Sequence, residues 1–399
     1  MRFSGFTDEW VSYKIGDISK TYSGGTPSTS KREYYEGNIP FIKSGEIGNE
    51  VTEQYINEEA INNSSAKKVQ KGDLLLALYG ATSGEVAISK IDGAINQAVL
   101  KIDNKMNNYF QYNYFVKYKD QIIHKYLQGG QGNLSANIIK KLEFYYPNLE
   151  EQQKISNYLL LIDNKIELLE KKHHEYQNFK KYLMQQIFAQ KLRFNFDDEW
   201  KQYKLKDVLT VKSSSISINQ LEENTGDYPL YGASGFLKNI DFCEMDVDYI
   251  SIVKDGSGVG NLSFHEKNSS IVNTSQYLLP KKNFNINFLY YLLQTINLMK
   301  YVNGSSIPHI YFKDYCIEKI NIPSLDEQEK IGKLFVDVDI TMKNLNKNIN
   351  ATQEFKKGLL QQMFVVRINW RCNFKLAKSP SFNKHLLILK NKIIFIIIK

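Results

Sequence analysis

Pro147 to Phe188 reads PNLEEQQKISNYLLLIDNKIELLEKKHHEYQNFKKYLMQQIF, and Pro323 to Phe364 reads PSLDEQEKIGKLFVDVDITMKNLNKNINATQEFKKGLLQQMF. The two stretches are 176 residues apart from end to end, with no gap. FKKYLMQQIF and FKKGLLQQMF share seven of ten residues. A long-period repeat of this kind makes the chain two copies of one unit.

In the first copy, Ile155, Leu159, Ile162, Ile166, Leu169, His173, Tyr176, Lys180, Leu183 and Ile187 follow one another in steps of 4 and 3. That is the stripe of a helix packed along another helix. The second copy repeats it as Ile331, Phe335, Val338, Met342, Leu345, Ile349, Thr352, Lys356, Leu359 and Met363, weakened at Thr352 and Lys356. Asn148 and Ser324 stand at the N-cap, and Glu151 and Glu327 lie three residues on, where a carboxylate could reach back to the cap amide. A helix of ~40 residues is ~60 Å long at ~1.5 Å per residue. The simplest use of two such stripes is an antiparallel pair, with pseudo-twofold symmetry relating the copies.

The repeat reaches beyond the helices. Glu9-Trp10 with Tyr13-Lys14 returns as Glu199-Trp200 with Tyr203-Lys204. Each copy is therefore a turn-rich α/β head followed by a long helix, an α+β protein overall. The expected organisation is a first head over 1–146, a helix over 147–192, a second head over 193–322, a helix over 323–364 and an atypical tail over 365–399. In the first head, NIPFIKSGEIGN (38–49) reads as a strand and turn, GDLLLALYGATSGEVAI (72–88) as two strands about a glycine turn, INQAVLKID (95–103) as one strand, and YFQYNYFVKYKDQIIHKYL (109–127) as a helix. In the second, DYPLYGASGFL, DYISIVKDGSGVGNLSF, NTSQYLLP and FLYYLLQTINLMKYV (288–302) parallel them, with NTSQ set against NQAV.

Composition is that of a globular protein, with 24% charged and 42% hydrophobic residues. The formal charge of +8 belongs to the tail. Residues 365–399 carry eight Lys and Arg and no acid, which leaves 43 basic and 43 acidic side chains in 1–364. Bulk charge is thus no argument for nucleic acid in the body of the chain. The tail is expected to be read-through or a basic arm, disordered or poorly packed. Its apolar end, LLILKNKIIFIIIK, is broken by Lys390 and Lys392 and is too short to span a membrane. Three scattered cysteines without a CxxC fit a reducing, cytoplasmic setting.

Nothing in the sequence points to catalysis. Gly256-Ser257-Gly258-Val259-Gly260 has neither the GxGxxG spacing nor a following GK[ST], so it reads as a tight turn between strands. The six histidines form no metal-ligand spacing, and no metal site is expected. The loops, by contrast, carry Ser, Thr, Asn, Gln, Lys, Arg and Tyr on glycine turns at equivalent places in both copies. Those residue types read base edges and hold phosphates. Two related heads suit half-sites about one helical turn (about 10–10.5 bp) apart on a duplex.

SGGTPS (23–28), NIPFIKSGEI (38–47), GDLLLALYG (72–80), NQAV (96–99), PNLEEQQKI and FKKYLMQQIF occur in order, with YPLYGASG (228–235), KDGSGVG (254–260), TSQYLL (274–279), PSLDEQEKI and FKKGLLQQMF in the second copy. This series resembles the specificity subunit of Type I restriction–modification systems over about 1–364. The resemblance implies two target-recognition domains, each binding half of a bipartite DNA sequence, with paired helices as spacers that set the unread gap. It implies two modification subunits, carrying S-adenosylmethionine and methylating adenine, and restriction subunits using ATP and magnesium. This chain itself would hold no cofactor and catalyse nothing. The residues expected to contact DNA are Lys31, Arg32, Lys43, Ser44, Tyr79, Thr82, Ser83, Asn96 and Gln97 in the first head. In the second they are Tyr231, Ser234, Lys254, Ser257, Thr274, Ser275 and Gln276. The alternative is a two-headed scaffold that assembles proteins without reading DNA, or a silent copy.

Overall fold

A computed structural model describes residues 2–126, 133–221, 224–304 and 306–364. The expectation for 365–399 and the last residue of the helix expected over 109–127 lie outside the described residues. The chain forms two compact units, one made of residues up to 162 with those from 355 onward, the other of Asp163–Glu354.

Both units are built on one plan. In the first, Val11–Lys14 pairs antiparallel with Glu143–Tyr146, closing the head just before the long helix. An antiparallel sheet follows the order Ser19–Ser23, Val99–Asn104, Leu74–Ala77, Val86–Ile88. Leu74, Leu75, Leu76 and Ala77 are all buried, as a central strand covered on both faces must be. A second sheet has the order Tyr55–Ile56, Ile39–Ile42, Gly93–Ile95, Lys67–Val69, and its two middle strands run parallel.

The second unit repeats the plan. Lys201–Lys204 pairs with Lys319–Ile322. The main sheet runs Leu209–Ser213, Ser275–Pro280, Tyr249–Val253, Leu262–His265. Three strands, Gly235–Ile240, Tyr228–Gly232 and Ser270–Ile271, form the second sheet, again with one parallel pair. Tyr13 corresponds to Tyr203, 190 residues on, whereas Leu78 corresponds to Lys254, 176 on. The difference falls between the first two strands of the main sheet. It is the lobe carrying the second sheet that differs between the copies, while the frame is kept.

Several expectations change in detail. Residues 95–103 are not one strand. Gly93–Ile95 ends, the chain turns at Asn96-Gln97-Ala98, and Val99–Asn104 begins in the other sheet. The helix expected over 288–302 is only Ile286–Leu293, followed by a separate short turn of helix at Leu298–Tyr301. Asn285 and Asn297 each accept a backbone N–H there, so the second asparagine starts a new element instead of continuing the first.

The long helices span Leu149–Phe188 and Leu325–Met363. Along the first, every stripe position from Ile155 to Ile187, including Ile166 and Leu169, is buried or half-buried. Along the second the same holds for Ile331, Phe335, Val338, Met342, Leu345, Ile349, Leu359 and Met363. Inside the second unit, Glu170 meets Gln353, Lys180 meets Asp339 at 2.7 Å, and Phe188 stacks on Phe335. Numbers rise on one helix as they fall on the other, so these segments run antiparallel. At the weakened positions, the Thr352 hydroxyl turns back to Asn348 O, and the Lys356 ammonium lies over the Tyr112 ring inside the first unit.

The capping expectation needs correction. Asn148 Oδ1 does accept the Glu151 N–H at 2.9 Å. The Glu151 carboxylate does not return to the cap. It takes both arms of the Arg2 guanidinium at 2.7 Å. Glu327 is held the same way by Arg193, and the Ser324 hydroxyl has no hydrogen-bond partner. Both carboxylates are 0% exposed, so an isolated charge there would be costly, and a bidentate arginine answers it where a cap amide would not. These hydrogen bonds also raise the pKa of each guanidinium.

The next residue does as much. Gln152 Nε2 donates to Pro147 O and its Oε1 accepts from Asn107 N. Gln328 does the same with Pro323 O and Asn285 N. The repeated Glu-Gln pair is thus the clamp that ties each head to the first turns of its helix.

The helix ends are also built in. In the first unit, Phe364 packs against Phe110 and Tyr114 at 5.0 and 4.7 Å, and its carbonyl accepts from Lys117 Nζ and Tyr118 OH. In the second, Phe188 lies against Phe288 and Phe335.

Candidate nucleic-acid interface

The parallel strand pair in each second sheet positions the candidate site. Phe41 and Ile42 lie opposite Ala94 and Ile95. Both strands leave the sheet on the same side, the first into Lys43-Ser44 and the second into Asn96-Gln97. Loops beyond the carboxyl ends of parallel strands are where open α/β sheets bind ligands. Tyr79 joins this group because Leu78 N donates to Ala98 O, which sets the Tyr79–Thr82 turn beside Asn96-Gln97.

Gly24 and Gly25 bring a further loop in. A Cβ on Gly24 would sit 1.7 Å from Ile95 O, and one on Gly25 would sit 2.5 Å from Ser65 Cβ. Only glycine permits this approach. The approach places Thr26 Oγ1 against Gln97 Oε1 at 2.6 Å. Thr26, Ser28, Asn63, Ser64, Ser65 and Gln97 then line one open polar groove. Of these, the sequence reading chose Gln97 and missed the rest. The close Gly24-Gly25 pair was the available signal, but its partner Ser65 is remote in sequence.

Lys31 and Arg32 are exposed on the turn of helix Arg32–Tyr35. Lys31 donates to the Tyr34 hydroxyl, which raises its pKa and keeps the cation in place. Asn57 N donates to Tyr34 O, anchoring this turn to the lobe. Lys43 lies 3.7 Å from Glu53. Tyr79 and Gln97 are exposed, and Ser44 and Thr82 half-buried. Asn96 accepts the Ala98 N–H and so shapes the turn. Ser83 is buried and donates to Leu78 O, which gives it a structural place inside the glycine turn.

In the second unit, Leu230 and Tyr231 lie opposite Ser270 and Ile271. The strands lead into the Ser234 turn and into Asn273-Thr274. Lys254 N and Asp255 N both donate to Thr274 O, and Ile310 N donates to Lys254 O, the same bonds that join Leu78, Ala98 and Leu134 in the first unit. The register shows that NTSQ was set one residue off. Val253 pairs with Ser275 as Ala77 pairs with Val99. Asn273, exposed and fixed by its N–H to Ile216 O, is therefore the counterpart of Gln97, and sequence reading missed it.

Ser275 is 2% exposed within the sheet and faces the core. Gln276 is half-buried and donates to Ser213 Oγ. Ser234, Ser257 and Thr274 are exposed, and Lys254 Nζ is 3.5 Å from Asp255. Gly256, Gly258 and Gly260 all have positive φ, and Gly260 N donates to Val253 O, so the GSGVG stretch is a tight turn.

Tyr231 is part of an aromatic stack. Its ring lies 4.4 Å from His265, which lies 5.0 Å from Tyr249, which lies 4.8 Å from Tyr277. His265 Nε2 bonds Ser251 Oγ, and burial lowers its pKa to about 4. Tyr277 donates to Glu244, and burial pushes both Tyr249 and Tyr277 above the ordinary phenol range. Among the described residues, no three His, Cys, Asp or Glu side chains gather as a metal site, and no helix is long and apolar enough to cross a membrane.

The model for the "Type I restriction modification DNA specificity domain" matches twice, over residues 7–177 and 197–353. The MjaIX specificity subunit of Methanocaldococcus jannaschii is 25% identical over 403 residues, which cover 89% of this chain and 92% of that one. The EcoR124I/EcoR124II specificity subunit of Escherichia coli is 26% identical over 44% of this chain and 51% of that one. The crystal structure of a Type I system S subunit from M. genitalium superposes with a TM-score of 0.68 at 17% identity, covering 92% of this chain and 98% of that one. With two matched domains that repeat one sheet plan and one helix clamp, the chain belongs to the Type I restriction–modification DNA specificity family.

Proposed function

We propose that this chain is the DNA-reading subunit of a Type I restriction–modification complex, each unit recognising one half of a bipartite duplex sequence. The observation that supports it best is the pair of equivalent polar loop clusters beyond the parallel strands. They carry Lys43, Tyr79 and Gln97 in one unit, and Ser234, Asn273 and Lys254 in the other. Amide and hydroxyl side chains at such sites read base edges, and lysines and turn amides hold phosphates. The chain directs adenine methylation by modification subunits and cleavage by restriction subunits. S-adenosylmethionine, ATP and magnesium belong to those partners, and this chain supplies the address without catalysing a step.

Methylation sequencing of a host that expresses the chain with its modification subunits tests this. The expected result is one adenine-methylated motif of two short halves separated by unread bases. The absence of any such motif, together with no preference of the purified complex for any duplex, would sink the reading.

A further inference from the structure

Phe236 stands in the open at the tip of a hairpin. Tyr228–Gly232 turns through Ala233 and Ser234 into Gly235–Ile240, with Gly235 at φ 112°, a conformation open to glycine and few others. Phe236 is 60% exposed. Exposure alone is ordinary for a single large apolar side chain. What sets this one apart is the ring system it touches. Phe236 lies edge-on to Tyr231 at 6.1 Å, and Tyr231 begins the stack through His265 and Tyr249 to Tyr277 in the core. Each deeper ring is pinned by a hydrogen bond, to Ser251, Ser269 or Glu244.

The surroundings are polar. Tyr231 O accepts from Val272 N, which brings Asn273 and Thr274 to the same side of the lobe, and Ser234 is the neighbouring turn residue. Leu237, also open, covers Gly232. A braced aromatic face beside amides and hydroxyls matches a nucleobase, which offers a π-face and polar edges together. In the first unit the same two strands are joined by the longer connection 43–54, KSGEIGNEVTEQ, and the second of them carries the exposed Tyr55.

We propose that Phe236 inserts against a base in the half-site read by the second unit, stacking on a step it opens. This rests on the DNA-reading function above and adds to it. Recognition of that half-site then depends on how easily the step unstacks, as it does for other apolar wedges.

The test uses the full chain assembled with its modification subunits, and duplexes of the methylated motif with 2-aminopurine at each position in turn. The wild-type complex is expected to bind and to raise fluorescence at one position in one half-site. Phe236→Ala is expected to remove that rise and to weaken specific binding about fivefold or more, the scale of lost base–aromatic stacking. Phe236→Trp is expected to keep both. Because the side chain is exposed, the melting temperature of Phe236→Ala is expected to match wild type. Normal binding and fluorescence by Phe236→Ala overturns the inference while leaving the DNA-reading function standing. So does failure of Phe236→Ala to join the modification subunits, which assigns the ring to a protein contact. If the wild-type complex prefers no duplex, the DNA-reading function fails first and takes this inference with it.

Discussion

Gln152 and Gln328 show how much one side chain can hold. Each satisfies a proline carbonyl and an asparagine N–H from the head while sitting on its helix. Gln152→Ala leaves those buried groups without partners, and the expected cost is about 1–3 kcal/mol. Urea unfolding should show a lower midpoint with an unchanged slope. Glu151→Ala should also destabilise, by freeing Arg2, and Glu151→Gln should recover only part of the loss because a guanidinium prefers a charged fork.

His265 gives a pH dependence with a definite sign. Its folded pKa of about 4 lies below the usual unfolded value of about 6.5. The unfolded chain therefore binds a proton first as pH falls. Stability is unaffected by this group above about pH 6.5 and declines between about 6.5 and 4, by up to about 3 kcal/mol. Replacing it by His265→Gln, which can keep the bond to Ser251, should flatten that part of the unfolding profile. Equal slopes for both proteins over this range would show that His265 does not titrate as the structure requires.

At the scale of elements, the long helices are more than connectors. The last residues of the second helix complete the core of the first unit, where Phe364 is fully buried among Trp10, Phe110 and Tyr114. Phe364→Ala is expected to cost about 3–5 kcal/mol, as for other buried phenylalanines. Proteolysis should then cut the first head sooner than the second. Cutting in the second head alone would contradict this assignment. The helices were legible because a 4,3 stripe is a local pattern, repeated within a few residues, and every stripe position proves buried or half-buried. The short helix Ile286–Leu293 was not legible at its end, because the aromatic spacing continues to Tyr301 while Asn297 restarts the chain.

Over the whole molecule, the two copies keep their main sheets, clamps and helices and differ in the lobe that carries the second sheet. If each unit reads its own half-site, replacing residues 24–98, which hold the second sheet and the candidate loops, by the corresponding segment of a relative should change one half of the methylated motif only. Methylation sequencing reads this directly, and a change in both halves would mean that the units do not read independently.

The sequence by itself determined the duplication, the α+β heads, the two helices with their seam and the turn-forming role of the glycine runs. All of these are patterns within a short window or identities at a fixed offset. It also placed the candidate loops, since polar residues on glycine turns mark exposed connections. Only the tertiary structure decided which loop residues face outward. Ser83 and Ser275 turn inward by the twofold period of a strand or the geometry of a turn, and one residue of register separates buried Ser275 from exposed Thr274. It alone joined Arg2 to Glu151 and Arg193 to Glu327, because a buried carboxylate takes the nearest cation in space, and those cations lie far away along the chain. It alone brought Asn273, and the groove at Thr26 and Asn63–Ser65, beside the candidate loops. These residues meet through strand pairing and close glycine contacts, which no spacing in the sequence records.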